Sequence, residues 1–291
     1  MRARRALLYV PGNDQAKIAK AAALGVDAVI LDLEDGVALN RKDEARATIL
    51  EALKSTNFGP AERLVRINPF YTGRAERDLE AVLPGRPEAV VLPKANSAEL
   101  VRETDRLLTA AEERLGFPIG STGIVALIES GLAFVNLASI CAASPRLQGL
   151  ILGAEDLAAD TGITRTVEAG ELLYARSALV MHAAAFGLQA VDMVQTNFKN
   201  EDLLREECQT GARLGFTGKQ IIHPAQVAVT QAAFTPSAAE VERAQLIMEK
   251  AQIAQAQGMG AYSLDGEMVD LPVVKRAETI LARARAAGLI R

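Results

Sequence analysis

Apolar runs of strand length recur along the chain at 5–11, 28–34, 63–68, 89–94, 124–129, 149–154, 189–194 and 219–223. Three of them, Ala28-Val-Ile-Leu31, Ala89-Val-Val-Leu92 and Gly149-Leu-Ile-Leu152, are continuously hydrophobic, without alternation. Strands buried on both faces have this character, and parallel sheets are where they occur. Between the runs, apolar residues fall at helical spacing over Asp14–Leu24, Arg41–Leu53, Ser97–Leu115, Glu168–Phe186 and Glu201–Leu214. Capping residues open several of these segments, and Gly25, Gly116, Gly187 and Gly215 stand where helices are expected to stop. Eight strands alternating with helices predict an α/β chain closed into a (β/α)8 TIM barrel rather than an open doubly wound sheet.

From about residue 225 the pattern changes. A long helix is expected over 237–257, then a hairpin turning at Asp265-Gly266 between two short apolar runs, then a final helix over 273–288. The chain therefore reads as a barrel over 1–235 and a C-terminal helical extension over 236–291, the latter a lid or an oligomer arm. There is no internal repeat and no low-complexity segment.

Composition narrows the function classes. The 291 residues carry 32 Lys and Arg against 36 Asp and Glu, a formal net charge of −4. No large basic field is available to neutralise phosphates, which argues against nucleic acid as a partner. No apolar stretch approaches the length that spans a bilayer, about 20 residues, so no membrane partner is expected. The basic start, Met1-Arg-Ala-Arg-Arg5, precedes only a short apolar run, too short for a signal-peptide core. Two cysteines, Cys141 and Cys208, lack metal or disulfide spacing, and the expected location is cytoplasmic.

Barrel enzymes carry their chemistry where strands end and loops begin. The strand ends here read Asp32-Leu-Glu34-Asp35-Gly36, Arg66-Ile-Asn68, Pro93-Lys94, Glu129-Ser130, Ala154-Glu155-Asp156, Asp192 and His223-Pro224. So many acids on one rim, with few cations, point to a hard divalent ion, Mg²⁺ or Mn²⁺. Glu129 and Asp156 are the candidate ligands from neighbouring strands, and open positions remain for water and an oxygen-rich substrate. Solvated surface carboxylates are the alternative. Arg66, at the end of a buried strand, suits a substrate carboxylate bidentately or a structural bridge to Glu34 or Asp35. Lys94 reads as a Schiff-base lysine or as a charge partner for Glu34. His182 lies in a helical run, where packing or surface exposure is expected, and His223 ends the eighth strand as a candidate supporting residue. Gly215-Phe-Thr-Gly218-Lys219-Gln220 lacks phosphate-loop spacing, and no GxGxxG, GxSxG or HExxH is present.

Several motifs, in order, resemble one family. They are Leu8-Tyr-Val-Pro-Gly-Asn13, Leu31-Asp-Leu-Glu-Asp-Gly36, Val65-Arg-Ile-Asn68, Leu92-Pro-Lys94, Ile128-Glu129 and Gly153-Ala-Glu-Asp156. Phe216-Thr-Gly-Lys-Gln-Ile-Ile-His-Pro224 and Met268-Val-Asp270-Leu-Pro272 complete the set. Together they are similar to the citrate lyase beta-subunit-like proteins of the HpcH/HpaI aldolase/citrate lyase superfamily. The likeness is strongest to the free-standing citramalyl-CoA lyase-like members.

That resemblance implies a TIM barrel, Mg²⁺, and cleavage or formation of a carbon–carbon bond between a 2-oxo acid and an acyl-CoA. Coenzyme A then arrives as part of the substrate. By position, Glu129 and Asp156 match the metal ligands, and Arg66 the residue holding the oxo-acid carboxylate. Asp270 matches the catalytic acid/base, delivered in relatives by the lid of a neighbouring subunit, which implies a homo-oligomer, a trimer or a multiple of one. Tyr9 and Lys20 match positions near the CoA moiety. A second family lysine near Lys20 is missing, since position 16 is alanine.

The chemistry fits the residues independently. The N–H groups of Ala154 and Glu155, at a helix start, suit a substrate carboxylate. Asp32, Glu34, Asp35 and Lys94 are expected to support the site. Asp265 competes with Asp270 but suits a turn. The alternatives are a citryl-thioester lyase subunit of a citrate lyase complex, a malyl-CoA thioesterase, and a non-catalytic sensor of metal and oxo acid.

Overall fold

In the computed structural model, which describes residues 2–290, the chain divides into two compact units, Arg4–Gln231 and a C-terminal unit beginning at Ala232. Met1 of the basic start and Arg291 of the C-terminal extension lie outside the described residues.

The first unit is a closed barrel. Its strands are β1 (Ala6–Pro11), β2 (Ala28–Asp32), β3 (Glu62–Arg66), β4 (Ala89–Leu92), β5 (Gly123–Ile128), β6 (Leu147–Leu152), β7 (Gln189–Asp192) and β8 (Gly218–Ile221). Every neighbouring pair is parallel, and β1 pairs with both β2 and β8, which closes the sheet. Around it run α1 (Gln15–Ala22), α2 (Lys42–Ser55), α3 (Ala75–Val82), α4 (Ala98–Leu115), α5 (Gly131–Val135) and α6 (Leu137–Cys141). They continue as α7 (Ala154–Thr161), α8 (Leu173–Ala185), α9 (Glu201–Leu214) and α10 (Val227–Ala233).

Because side chains alternate along a strand, each barrel strand feeds two cores. Leu7, Ala28, Ile30, Leu64, Val91, Leu127 and Ile151 fill the barrel interior, while Leu8, Val29, Leu31 and Val65 pack outward under the helices. β3 shows the consequence most plainly. Glu62, Leu64 and Arg66 alternate on one face, so a single strand carries an acid at the bottom, an apolar middle layer and a cation at the mouth.

The structure adds α3, α5, α6 and α10, which the hydrophobic pattern did not single out. The helix expected from Glu168 starts only at Leu173, after a short 3-10 turn, because Ala169 takes a left-handed backbone with φ 52°. Cys141 and Cys208 are free and buried.

The C-terminal unit pairs α11 (Ala238–Ala256) with α12 (Leu271–Ala286) over a core that includes Val241, Ala244, Val269, Ala277 and Leu281. A hairpin of β9 (Tyr262–Leu264) and β10 (Glu267–Val269) joins them, turning at Asp265 and Gly266, both with positive φ. Among the described residues no helix is long and apolar enough to cross a membrane.

Candidate active site

The C-terminal ends of the strands surround a cavity of about 310 Å³. Tyr9 of β1, Asp32 of β2, Arg66 of β3, Glu129 after β5, Asp156 of α7 and Gln220 of β8 all line it. Inward alternation brings Tyr9, Asp32, Arg66 and Gln220 to one rim, above the apolar layer that fills the barrel.

Arg66 is buried, and its guanidinium is heavily committed. Nε and Nη2 donate to Asp32 Oδ1 and Oδ2 at 2.7 and 2.6 Å, a bidentate pair. The bridging partner is thus Asp32, ahead of the expected Glu34 and Asp35. Nη1 lies 2.8 Å from Glu34 Oε2 and 3.6 Å from Asp35 Oδ2. Asp32 also accepts from the N–H groups of Glu34 and Gly36, both at 2.8 Å. Position 36 needs glycine, because a Cβ there would come 2.6 Å from Asp32 Oδ2. Burial pulls the Arg66 pKa down, but the hydrogen bonds and charge of Asp32 outweigh it and raise it. The guanidinium also stands over the Tyr9 ring, 4.9 Å from its centre. Glu34 fares differently. Its Oε2 is buried and makes no hydrogen bond despite the nearby guanidinium, and burial pushes its carboxyl up to about 7 against the pull of Arg66.

Glu129 and Asp156 face the same cavity, on different supports. Glu129 directly follows β5, whereas Asp156 sits in the first turn of α7 rather than on a strand end. Glu129 is buried, which pushes its carboxyl up to about 8 even though Lys94 opposes the shift. Gly153 makes room for it, since a Cβ there would lie 2.5 Å from Glu129 Cβ. Lys94 makes no direct ion pair with Glu34 and feels its charge only at longer range. Its Nζ forms an ion pair with Asp156 Oδ1 and lies 3.6 Å from Glu129 Oε1, and its own N–H donates to that oxygen at 2.7 Å. Burial lowers the Lys94 pKa, yet the hydrogen bond to Asp156 and the charge of Glu129 raise it overall. A protonated amine of this kind is not the neutral nucleophile that a Schiff base needs.

The donor set fits a hard divalent ion. Two carboxylates, one of them buried at a charge cost that a cation offsets, open onto a cavity. Among the described residues no third His, Cys, Asp or Glu joins them at metal-binding distance. An ion held by this pair would keep its other positions open to water or substrate oxygens. Beside the pair, Ala154 and Glu155 begin α7, whose first-turn N–H groups lack partners within the helix. Glu155 itself turns to Arg165, 3.2 Å away.

A second cavity of about 330 Å³ shares Tyr9, Val10, Pro11 and Ile222 with the first. Lys20 lines it together with Lys17, a residue the sequence reading passed over although it lies three positions away on α1. The Tyr9 hydroxyl is buried without a hydrogen-bond partner, and burial raises its pKa. His223 lines this second cavity and stacks on Phe198, ring centres 4.5 Å apart. Asp192 leaves the rim altogether: it is fully buried and paired with Arg176 of α8.

Asp270 belongs to the C-terminal unit, where its carboxylate accepts from Val273 N–H at 3.4 Å and caps α12. Asp265 is engaged elsewhere, in the hairpin turn and an ion pair with Arg243.

Sequence and structure comparisons place the chain among known proteins. Citrate lyase subunit beta of Leuconostoc mesenteroides subsp. cremoris is 38% identical over 289 residues, covering 99% of this chain and 96% of that protein. Mitochondrial citramalyl-CoA lyase of Homo sapiens is 38% identical over 293 residues, covering 97% of this chain and 85% of that protein. Among solved structures, protein CitE of Mycobacterium tuberculosis, in complex with magnesium, acetoacetate and coenzyme A, superposes with a TM-score of 0.78. It is 36% identical and covers 97% of this chain and 98% of that one. The profile of the HpcH/HpaI aldolase/citrate lyase family matches residues 5–224, and this chain belongs to that family.

Proposed function

We propose that this protein is a Mg²⁺-dependent carbon–carbon lyase that cleaves, or forms, a 3-hydroxyacyl-CoA such as citramalyl-CoA or malyl-CoA, with acetyl-CoA and a 2-oxo acid on the other side. One observation carries the reading: two carboxylates, Glu129 and Asp156, share a barrel-mouth cavity with the Arg66 guanidinium. Glu129 and Asp156 would hold the ion, which when bound supplies Lewis-acid polarisation of the oxo-acid oxygens.

The chain's own residues do the rest. Arg66, aimed by its bidentate pair with Asp32, attracts the substrate carboxylate. The N–H groups of Ala154 and Glu155 offer that anion further donors at a helix start. Asp270 is the acid/base. In the condensation direction it takes a proton from the acetyl-CoA methyl group, and the resulting enolate carbon bonds to the keto carbon. The C=O π pair moves to the oxygen, which receives a proton back from Asp270 through water to become the hydroxyl; cleavage runs the same steps backward. Lys17 and Lys20, beside the apolar walls of the second cavity, suit the phosphates of coenzyme A, with Tyr9 between that cavity and the first. Lys17 thereby fills the role left open by alanine at position 16. Those two lysines favour a free CoA thioester over one carried by an acyl carrier protein.

The C-terminal unit would act as a lid, supplied by a neighbouring copy in a homo-oligomer, a trimer or a multiple of one. Met268 and Leu271, which flank Asp270, are exposed, as are Leu132 and Val135 of α5 and Tyr174 and Met181 of α8. Exposed apolar groups of this kind mark surfaces to be covered. The free, buried Cys141 and Cys208 are in keeping with a reducing compartment, and we assign the reaction to the cytoplasm.

The test is direct. Purified protein with Mg²⁺ and citramalyl-CoA or malyl-CoA is expected to release acetyl-CoA together with the oxo acid, and EDTA to stop the reaction. Release of free CoA and the intact hydroxy acid would make the protein a thioesterase. Turnover only with added carrier and transferase subunits would make it part of a citrate lyase complex.

A further inference from the structure

The loop after β4 holds a lysine that the reaction scheme leaves without a task. Lys94 has φ 48°, one of four positive values among the described non-glycine residues. A left-handed lysine backbone is costly and persists only where its surroundings hold it. Those surroundings are specific. The Lys94 N–H donates to Glu129 Oε1 at 2.7 Å, while its ammonium pairs with Asp156 Oδ1 and lies 3.6 Å from Glu129 Oε1. Behind it, Asn96 N–H donates to Lys94 O at 2.8 Å, and Asn96 Oδ1 accepts from Ser130 Oγ at 2.6 Å. One residue therefore reaches both carboxylates of the candidate metal site, and its loop is tied to the segment that carries Glu129.

We propose that Lys94 is a positioning residue and a built-in competitor for the divalent cation. Its backbone N–H orients Glu129, and its ammonium offsets part of the charge of the Glu129–Asp156 pair and engages Asp156 Oδ1, an oxygen a metal ion would also seek. The inference rests on reading these two carboxylates as the metal ligands. The physical argument is charge. A compact ammonium beside a dication repels it and must yield an oxygen to it. The side chain is 23% exposed, so its flexible stem can turn the ammonium toward solvent. Metal affinity is thereby set below what the two carboxylates alone would give, which keeps the ion exchangeable.

The experiment measures metal binding without turnover. Intact wild-type protein and the Lys94→Met, Lys94→Gly and Lys94→Arg variants are titrated with Mg²⁺ by calorimetry and with Mn²⁺ by electron paramagnetic resonance. Glycine suits a φ of 48° and keeps the N–H that orients Glu129, so Lys94→Gly decides the matter if Lys94→Met does not fold. Loss of the ammonium is expected to tighten the Kd about tenfold in Lys94→Gly and Lys94→Met, the effect of one nearby screened charge. Lys94→Arg, which keeps the charge, is expected to stay close to wild type. Unchanged or weaker binding in the uncharged variants would overturn the proposal, because a merely structural lysine loosens the site when removed; tightening in Lys94→Arg would overturn it as well. A wild type that takes up neither ion would remove the metal site itself, and the proposal with it.

Discussion

The two ends of the barrel handle buried charge in opposite ways. At the bottom, Arg4 donates from Nε and Nη2 to Glu62 at 2.7 Å each and from Nη1 to Gln189 at 2.9 Å. All three residues are buried, and Nη2 also donates to Gln148 Oε1. At the mouth, Arg66 gives Asp32 only Nε and Nη2, and around them Glu34 Oε2 and the Tyr9 hydroxyl are buried without hydrogen bonds. Glu129 is a buried acid pushed up to about 8, and Lys94 is held left-handed. The bottom satisfies its charges internally, which serves folding. The mouth leaves polar capacity unspent, and an enzyme needs that capacity for a ligand.

Substitutions should separate the two ends. The largest effect is expected from Glu129→Gln at the mouth: turnover falls about a thousandfold or more and Mg²⁺ uptake is lost. Thermal stability, by contrast, holds or rises, because a buried carboxyl whose ionisation the fold disfavours is replaced by a neutral amide. Activity assays, calorimetry and melting curves on one preparation read all three, and a marked fall in melting temperature would contradict the contrast. Next comes Asp270→Asn, for which turnover drops about 10²–10⁴-fold while Mg²⁺ and oxo-acid binding persist. Undiminished turnover would remove Asp270 from the chemistry.

The bottom should behave in reverse. Glu62→Gln leaves the Arg4 charge short of its partner and costs about 3–5 kcal/mol in denaturant unfolding, with kcat of the folded protein unchanged. A fall in kcat there would mean that the two ends are coupled.

The smallest effect is a pH dependence. Glu34 titrates near 7 in the fold against 4.5 for an ordinary glutamate, so the fold favours its protonated form. Its stabilising contribution is therefore complete below about pH 4.5 and fades as pH rises through 7. Glu34→Gln should match wild type near pH 4.5 and exceed it at pH 8 by on the order of 2 kcal/mol. Equal melting temperatures at pH 8 would show that Arg66 fully compensates the charge.

Much of this was legible before any coordinates. Unalternated runs such as Ala89-Val-Val-Leu92 identified strands covered on both faces, which belong to a parallel sheet, and the count of eight strands alternating with helices favoured its closure into a barrel. Arg66 and Glu129 were readable for a local reason: a charge next to an apolar strand lies either at its end or in contact with something that needs it. The Asp265-Gly266 turn was readable because few dipeptides adopt two successive positive φ values cheaply.

Tertiary structure decided the partners. Asp192 looked like one more rim acid, yet it points outward to Arg176, because side-chain direction depends on the register of β7 in the closed sheet. Lys94 found Asp156, 62 positions away, ahead of Glu34, and Asp32 took two of the Arg66 guanidinium nitrogens, leaving the third to Glu34 and Asp35. Lys17 and Lys20 share a face of α1 by helical spacing, but only the packing of α1 against the ends of β1 and β8 made that face the wall of a cavity. Periodicity is a property of neighbouring residues and can be read along a chain. Pairing between buried charges is settled by distances of a few ångströms between strands far apart in sequence, and only barrel closure determines those.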